Sequence, residues 1–172
     1  MEVRLEPLGP RHLDDLDALA RDPAVLRFTR VPEPVPPGFA RGWLGRYEAG
    51  RRDGTAEGFA AVGADGTFLG LALAPEIDVE GRELEIGYIV APAARGRGVA
   101  TAMLRQLTRW AFDEAGALRA YLLIETGNVA SLRVAARCGY VHEGVLRSMH
   151  VKQDRRADLS IWSRLPSDPE PG

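Results

Sequence analysis

The stretch APAARGRGVATAM, residues 91–103, constrains the chain more than any other. An apolar, strand-like run ends there, a helical pattern begins, and Gly96 and Gly98 stand at the junction. Glycine gives up more backbone entropy on folding than any other residue and costs roughly 1 kcal/mol relative to alanine inside a helix. A strand, a short glycine loop and a helix starting near Val99 leave several first-turn N–H groups without intrahelical partners. Those donors and the positive end of the helix dipole make an anion site, which a backbone without Cβ atoms lets an anion approach closely. Arg95 and Arg97 add formal charge and Thr101 a hydroxyl, a chemistry suited to a diphosphate. The competing reading is glycines that serve turn geometry alone beside solvated arginines, in a loop of a short and common kind; glycine with arginine at a helix start matches the anion site more closely.

The length of 172 residues, with 45% hydrophobic and 27% charged, suits one domain with a proper core, placed at residues 1–165. The polar, proline-rich end PSDPEPG, within 166–172, is expected to be a disordered tail. No apolar run approaches the length of a membrane span, and MEVRLEPL lacks the pattern of a secretory signal, so a cytoplasmic location without a membrane partner is expected. Cys138 stands alone, and His12, His142 and His150 are scattered, which offers no metal-ligand spacing. A net charge of -2 argues against a nucleic-acid partner, although Arg95, Arg97, Arg105 and Arg109 fall together.

Alternation predicts a strand at residues 3–8, and Leu13, Leu16, Leu19 and Ala20 predict a helix over 11–22. The four prolines of VPEPVPPG make residues 31–38 a stiff loop, and a short helix follows, with Phe39, Trp43, Leu44 and Tyr47 on one face. Two apolar runs around GADGT form a hairpin between Glu57 and Pro75, and a third strand occupies 82–91. Val99, Met103, Leu107, Trp110 and Ala111 mark a one-faced helix over 99–115, and 118–126 reads as a buried strand. Asn128 caps the next helix and Gly139 ends it, before a closing hairpin around KQDRR. The order β-α-α-β-β-β-α-β-α-β-β predicts an α/β protein with a mixed, mostly antiparallel sheet and helices on both faces.

RGRGVAT lacks the Gly-Lys-Ser/Thr ending of a P-loop, and the dinucleotide fingerprint fails at Thr101, so a nucleotide-dependent oxidoreductase is poorly supported. ARGRGVATAML, following LEIGYIVAP, resembles instead the acetyl-CoA loop of the GNAT N-acetyltransferase superfamily, with Arg95, Gly98 and Ala100 at its fixed positions. NVASLRVAARCGYVHEGVLR resembles the RimJ/RimL-like branch, the ribosomal-protein N-terminal acetyltransferases and their relatives, through Asn128, Ser131, Gly139, Tyr140, Glu143 and Gly144. The resemblance covers about residues 3–165.

It implies the GNAT (acyl-CoA N-acyltransferase) fold and acetyl transfer from acetyl-CoA, used as co-substrate without a metal, to a primary amine on a small molecule or a protein N-terminus. The pantetheine arm would lie between strands 82–91 and 118–126, with a backbone N–H among Ile89, Val90 and Ala91 facing the thioester oxygen. Gly96, Arg97, Gly98, Val99, Ala100 and Thr101 would complete the phosphate cradle with Arg95, and Asn128 would bond the pantetheine. Glu85 and His150 are the candidate bases for the attacking amine. Their alternatives are a strand carboxylate paired with Arg82 or Arg119, and a structural histidine. Many family members protonate the leaving thiolate with a tyrosine where this chain has Ala135, so Ser131 takes that role. Tyr88 is expected in the core, Cys138 as a small buried residue, and a homodimer as a frequent arrangement of the family. A CoA-binding sensor that has lost turnover is the rival reading.

Overall fold

A computed structural model describes residues 2–171; Met1 and Gly172, ends of the expected domain and tail, lie outside the described residues. Seven strands form one sheet in the order β1-β2-β3-β4-β5-β7-β6. They are β1 (Arg4–Pro7), β2 (Glu57–Val62), β3 (Phe68–Asp78), β4 (Glu83–Val90), β5 (Arg119–Glu125), β6 (Val141–Lys152) and β7 (Arg155–Arg164). The helices are α1 (Leu13–Ala20), α2 (Pro23–Phe28), α3 (Phe39–Asp53), α4 (Val99–Asp113) and α5 (Val129–Arg137). Among these, α2 is the element that the sequence pattern did not predict. Its six residues are too few to show a period, and it starts because Asp22 accepts from the N–H groups of Ala24 and Val25 while Pro23 presets the first turn.

Alternation along the strands splits the apolar residues between two cores, one on each face of the sheet. Ala61, Ala72, Leu84 and Ile86 turn to the face covered by α4 and α5, where Met103, Leu104 and Leu107 are fully buried. Ala60, Val62, Leu71 and Leu73 turn to the face covered by α1 and α3, against Leu16, Leu44 and Tyr47. Each of the larger aliphatic chains contributes about 1.5–3 kcal/mol by leaving water, so the sheet is held rigidly from both sides. Cys138 is wholly buried, and its thiol donates to Thr101 O at 3.8 Å, which ties the end of α5 to the first turn of α4.

All neighbouring pairs in the sheet are antiparallel except β4 and β5. Those two pair in parallel over Glu83–Glu85 and Arg119–Tyr121, and then separate. The separation coincides with a break in the β3–β4 register between Leu73 and Glu76, next to Pro75. A bulge there bends and twists the ladder, and Pro75 supplies no N–H to resist it. The tail turns back on itself: Leu165 N–H donates to Asp168 Oδ2 at 2.8 Å, and Arg164 Nη2 donates to Pro169 O at 3.3 Å. Among the described residues, no helix is long and apolar enough to cross a membrane.

Glu143, one of the residues that carry the resemblance, joins strands of the sheet. Arg119 of β5 holds the Glu143 carboxylate of β6 with two bonds of 2.7 Å, and Ser163 of the intervening β7 adds one of 2.6 Å. These contacts, led by Arg119, pull the Glu143 carboxyl down to about 2. A depressed carboxyl stabilises the fold fully above its unfolded value of about 4.3 and loses that contribution as pH falls through the folded value. The pair is more than a third exposed at Glu143, so solvent screening holds its worth to about 1 kcal/mol. Glu143→Gln is expected to lower the unfolding midpoint by ~2–4 °C at pH 7, and the difference from the unaltered protein should shrink as pH drops from about 4.3 toward 2. Thermal melts across that range check it.

Candidate active site

The gap between β4 and β5 is the mouth of a cavity of about 1030 Å³. Ile86–Val90 form one wall, Leu122–Glu125 the other, and the start of α4 closes one end. Ala91 N–H donates to Leu69 O at 2.9 Å. Residues bonded to one neighbour alternate along an antiparallel ladder, so Ile89 and Ala91 address β3 while Val90 N–H points into the gap. Of the three backbone donors expected from the sequence, Val90 is therefore the one free to meet a ligand there.

Gly96 and Gly98 have φ of 71° and 79°, and a Cβ on either would meet nothing within 4 Å. Both facts explain the glycines: the left-handed backbone strains other residues, and the open space leaves the backbone bare toward the cavity. The N–H groups of Val99, Ala100 and Thr101 make no backbone hydrogen bond among the described residues, since Ala102 is the first to reach back, to Gly98 O at 3.1 Å. Three amides, the α4 dipole and an uncluttered approach thus meet at one end of the cavity, a fit for an anion such as a diphosphate.

The arginines are arranged differently from the sequence expectation. Arg95 lines the cavity, but its guanidinium is engaged by Asp22, at 2.5 Å from Nη2 to Oδ1, and by Val90 O, at 3.2 Å from Nε. Burial acts to raise the Asp22 carboxyl, and the Arg95 contacts with the Val25 and Ala24 amides outweigh it, leaving a net lowering. Arg97 is exposed and, like Ala91, is absent from the cavity lining; Arg105 and Arg109 lie further along α4. Arg137, at the end of α5, contributes to the wall instead and was not anticipated.

Asn128 caps α5 as expected, its Oδ1 accepting from Ser131 N–H at 3.2 Å. This sets Ser131 on the cavity wall, where its Oγ is 2.7 Å from the Tyr88 hydroxyl. The sequence pattern alone places Tyr88 in the core. Its ring does pack against the α4–α5 core, yet the phenol extends past that layer to the cavity. Burial pushes the phenol up to about 12, against the opposing effect of the Ser131 hydrogen bond, so it keeps its proton throughout the neutral range.

At the far end stands Glu85, half-buried. Burial raises its carboxyl, Arg30 and Arg46 oppose that, Glu76 adds to it, and the net shift is upward. His150 turns inward past a break in the β6–β7 register between Leu146 and His150 and is 4% exposed. Its Nδ1–H donates to Glu125 Oε2 at 3.1 Å, and Nε2, sealed from solvent, has no partner among the described residues. Arg155 grips the same Glu125 carboxylate at 2.9 and 2.8 Å and also donates to Arg27 O. Lys152 Nζ donates to Leu26 O and Gln153 to Glu33 O, so the β6–β7 hairpin tip holds α2 and the segment after it over the cavity. Glu125 and Arg155 had no local signature, because their partnership joins residues 30 apart across two strands.

The acetyltransferase (GNAT) domain family matches residues 2–141. YdaF of Bacillus subtilis (strain 168), provisionally named a ribosomal N-acetyltransferase, is 33% identical over 101 residues, covering 59% of this chain and 55% of its own. The phosphinothricin N-acetyltransferase of Alcaligenes faecalis is 36% identical over 105 residues, 58% of this chain and 52% of its own. The chain thus spans about half the length of the curated relatives it matches. The spermidine N-acetyltransferase of Vibrio cholerae, solved with CoA and spermine, has a TM-score of 0.85 over 96% of both chains at 22% identity, a likeness of fold.

The same substitution should have opposite signs at two glycines. Gly98→Ala forces a left-handed alanine and is expected to destabilise by about 1–2 kcal/mol. Gly45→Ala, on the exposed face of α3 with nothing within 4 Å of its Cβ, should stabilise by up to about 1 kcal/mol. Denaturant unfolding of both variants checks the pair.

Proposed function

The chain belongs to the acetyltransferase (GNAT) domain family, and on that premise we propose that it transfers an acetyl group from acetyl-CoA to a primary amine by direct attack on the thioester. The observation that carries this reading is the β4–β5 separation, which lines up the α4 amides, Val90 N–H, the Tyr88–Ser131 pair and Glu85 along one cavity. Val99, Ala100 and Thr101 N–H, with Gly96 and Gly98, hold the diphosphate. Arg137 adds charge there, and Arg95 is available once Asp22 yields it. Asn128 keeps its amide NH2 for the pantetheine while its oxygen caps α5.

Val90 N–H donates to the thioester oxygen as negative charge develops on it, a fixed donor of the kind that contributes most to such reactions. Glu85 takes the proton from the amine, directly or through a water. Its raised carboxyl makes it a better base than an ordinary glutamate, at the cost of protonation at mildly acid pH. His150 is a positioning residue in this reading, since its free Nε2 is sealed from the cavity's solvent. The leaving sulfur receives its proton from Ser131, which Tyr88 resupplies across the 2.7 Å bond. That pair replaces the tyrosine absent at Ala135. The RimJ/RimL-like branch is supported by the identity with YdaF and by the Asn128 and Ser131 arrangement. A homodimer is part of the reading as well, with β6 an edge strand exposing Val141, Val145, Met149 and Val151. The sensor alternative would leave the Glu85 and Tyr88–Ser131 groups without a task.

Thiol release from acetyl-CoA with an amine panel tests the proposal. Glu85→Gln is expected to lower kcat by ~10²-fold or more and to abolish the acid limb of the rate profile, whose midpoint lies above the ordinary glutamate value. Tyr88→Phe and Ser131→Ala should each lower kcat with little change in affinity for acetyl-CoA, measured by calorimetry. Full turnover in Glu85→Gln would remove the base from this account.

A further inference from the structure

Beyond Glu85 the cavity continues into a lobe of about 240 Å³ lined by Phe28, Leu123 and Leu159 and edged by Arg30, Arg46 and Glu76. Its charges differ in how fully they are matched. Glu125 is held by Arg155 and His150, so it offers little to an incoming cation. Arg30 is exposed and has neither a hydrogen bond nor an ion pair among the described residues. Arg46 is exposed too; its guanidinium donates to Pro75 O at 3.1 Å and lies 5.6 Å from the Tyr47 ring centre, with no carboxylate in contact among the described residues. Both arginines are close enough to Glu85 to act on its charge. Beside them His150 Nε2, in a side chain 95% buried, is an unsatisfied polar atom in the wall of the same lobe.

A polycation entering here would find Glu76 and Glu85, but it would also set its charges against two guanidinium groups that no carboxylate contacts among the described residues. A neutral amine would leave both arginines unused. An amine that carries its own anion matches both arginines and Glu85 at once, since guanidinium groups bind carboxylate or phosphoryl oxygens through paired N–H donors. The aromatic and aliphatic floor then takes a modest apolar side chain.

We propose that the acceptor is a small zwitterionic amine of the amino-acid type, its anionic group held by Arg30 and Arg46 while its amine stands at Glu85. The inference rests on the acetyl-transfer reading and adds the class of acceptor to it.

The test compares acceptors that differ in the anion alone: L-leucine and L-methionine against their carboxamides, with 2-aminoethylphosphonate and spermidine alongside, by thiol release at saturating acetyl-CoA. The carboxamides have the less basic amines, so on reactivity alone they would win. The proposal expects kcat/KM at least tenfold higher for the acids than for the amides, and little turnover of spermidine. Turnover of the phosphonate above the carboxylates would identify a phosphoryl-type anion within the same class. The Arg30→Ala, Arg46→Ala double variant should erase most of the acid preference through KM. The preference of the unaltered protein is informative whether or not the variant folds. Equal or better use of the amides or spermidine, or no release with any anionic amine while acetyl-CoA binds, overturns the inference and leaves the cofactor assignment standing. Failure of acetyl-CoA to bind in calorimetry overturns the acetyl-transfer reading beneath it, and the inference with it.

Discussion

The parallel contact between β4 and β5 is short, and the site depends on its shortness. Three residues of each strand pair, and then the bulge beside Pro75 carries β4 away. Had the pairing continued, Val90 N–H would have been consumed by the ladder and the cavity would have been sheet. A buried backbone donor without a partner is costly, so a protein tolerates a free sheet edge in its middle when a ligand or water completes it. The two rigid cores on either face make this tolerable, because they fix both strands whether or not the gap is filled.

Electrostatics then organises what the gap positions. At one end the charge is supplied by backbone amides, while the nearest arginine is held by Asp22. At the other end the carboxylate of Glu85 lies between burial, which raises it, and two arginines, which lower it. The segment around α2 joins these ends: Asp22 anchors its start to the α4 loop, and the β6–β7 hairpin anchors its close through Arg155, Lys152 and Gln153. The two ends of the cavity therefore share one covering segment, tied down at both its start and its close.

The sheet and most helices were legible in the sequence because their signals are local. Alternation placed the strands, the spacing from Val99 to Ala111 placed α4, and Asn128 with Gly139 marked both ends of α5. Gly96 and Gly98 announced a bare helix start, and their positive φ values explain them. Less local features escaped. Tyr88 shares a face with Leu84 and Ile86, and nothing in alternation says that its hydroxyl outreaches the core to meet Ser131, 43 residues on. Glu125, His150 and Arg155 meet through strand order and a register break, and α2 is too short for a period, although Asp22 before Pro23 was a usable cap signal. Charge clustering in sequence misled for the same reason: a helix carries Arg105 and Arg109 away from Arg95, while the fold brings Arg137, Arg30 and Arg46 to the cavity.

Amide hydrogen exchange with and without saturating acetyl-CoA tests the central claim most directly, because the claim concerns named backbone donors. Val90, Val99, Ala100 and Thr101 should exchange fast in the free protein and slow together on binding. Ala91, already bonded to Leu69 O, serves as the internal reference and should change little. Unaltered exchange at those four amides, with protection arising elsewhere in the sheet, would contradict the account and move the ligand out of the β4–β5 gap.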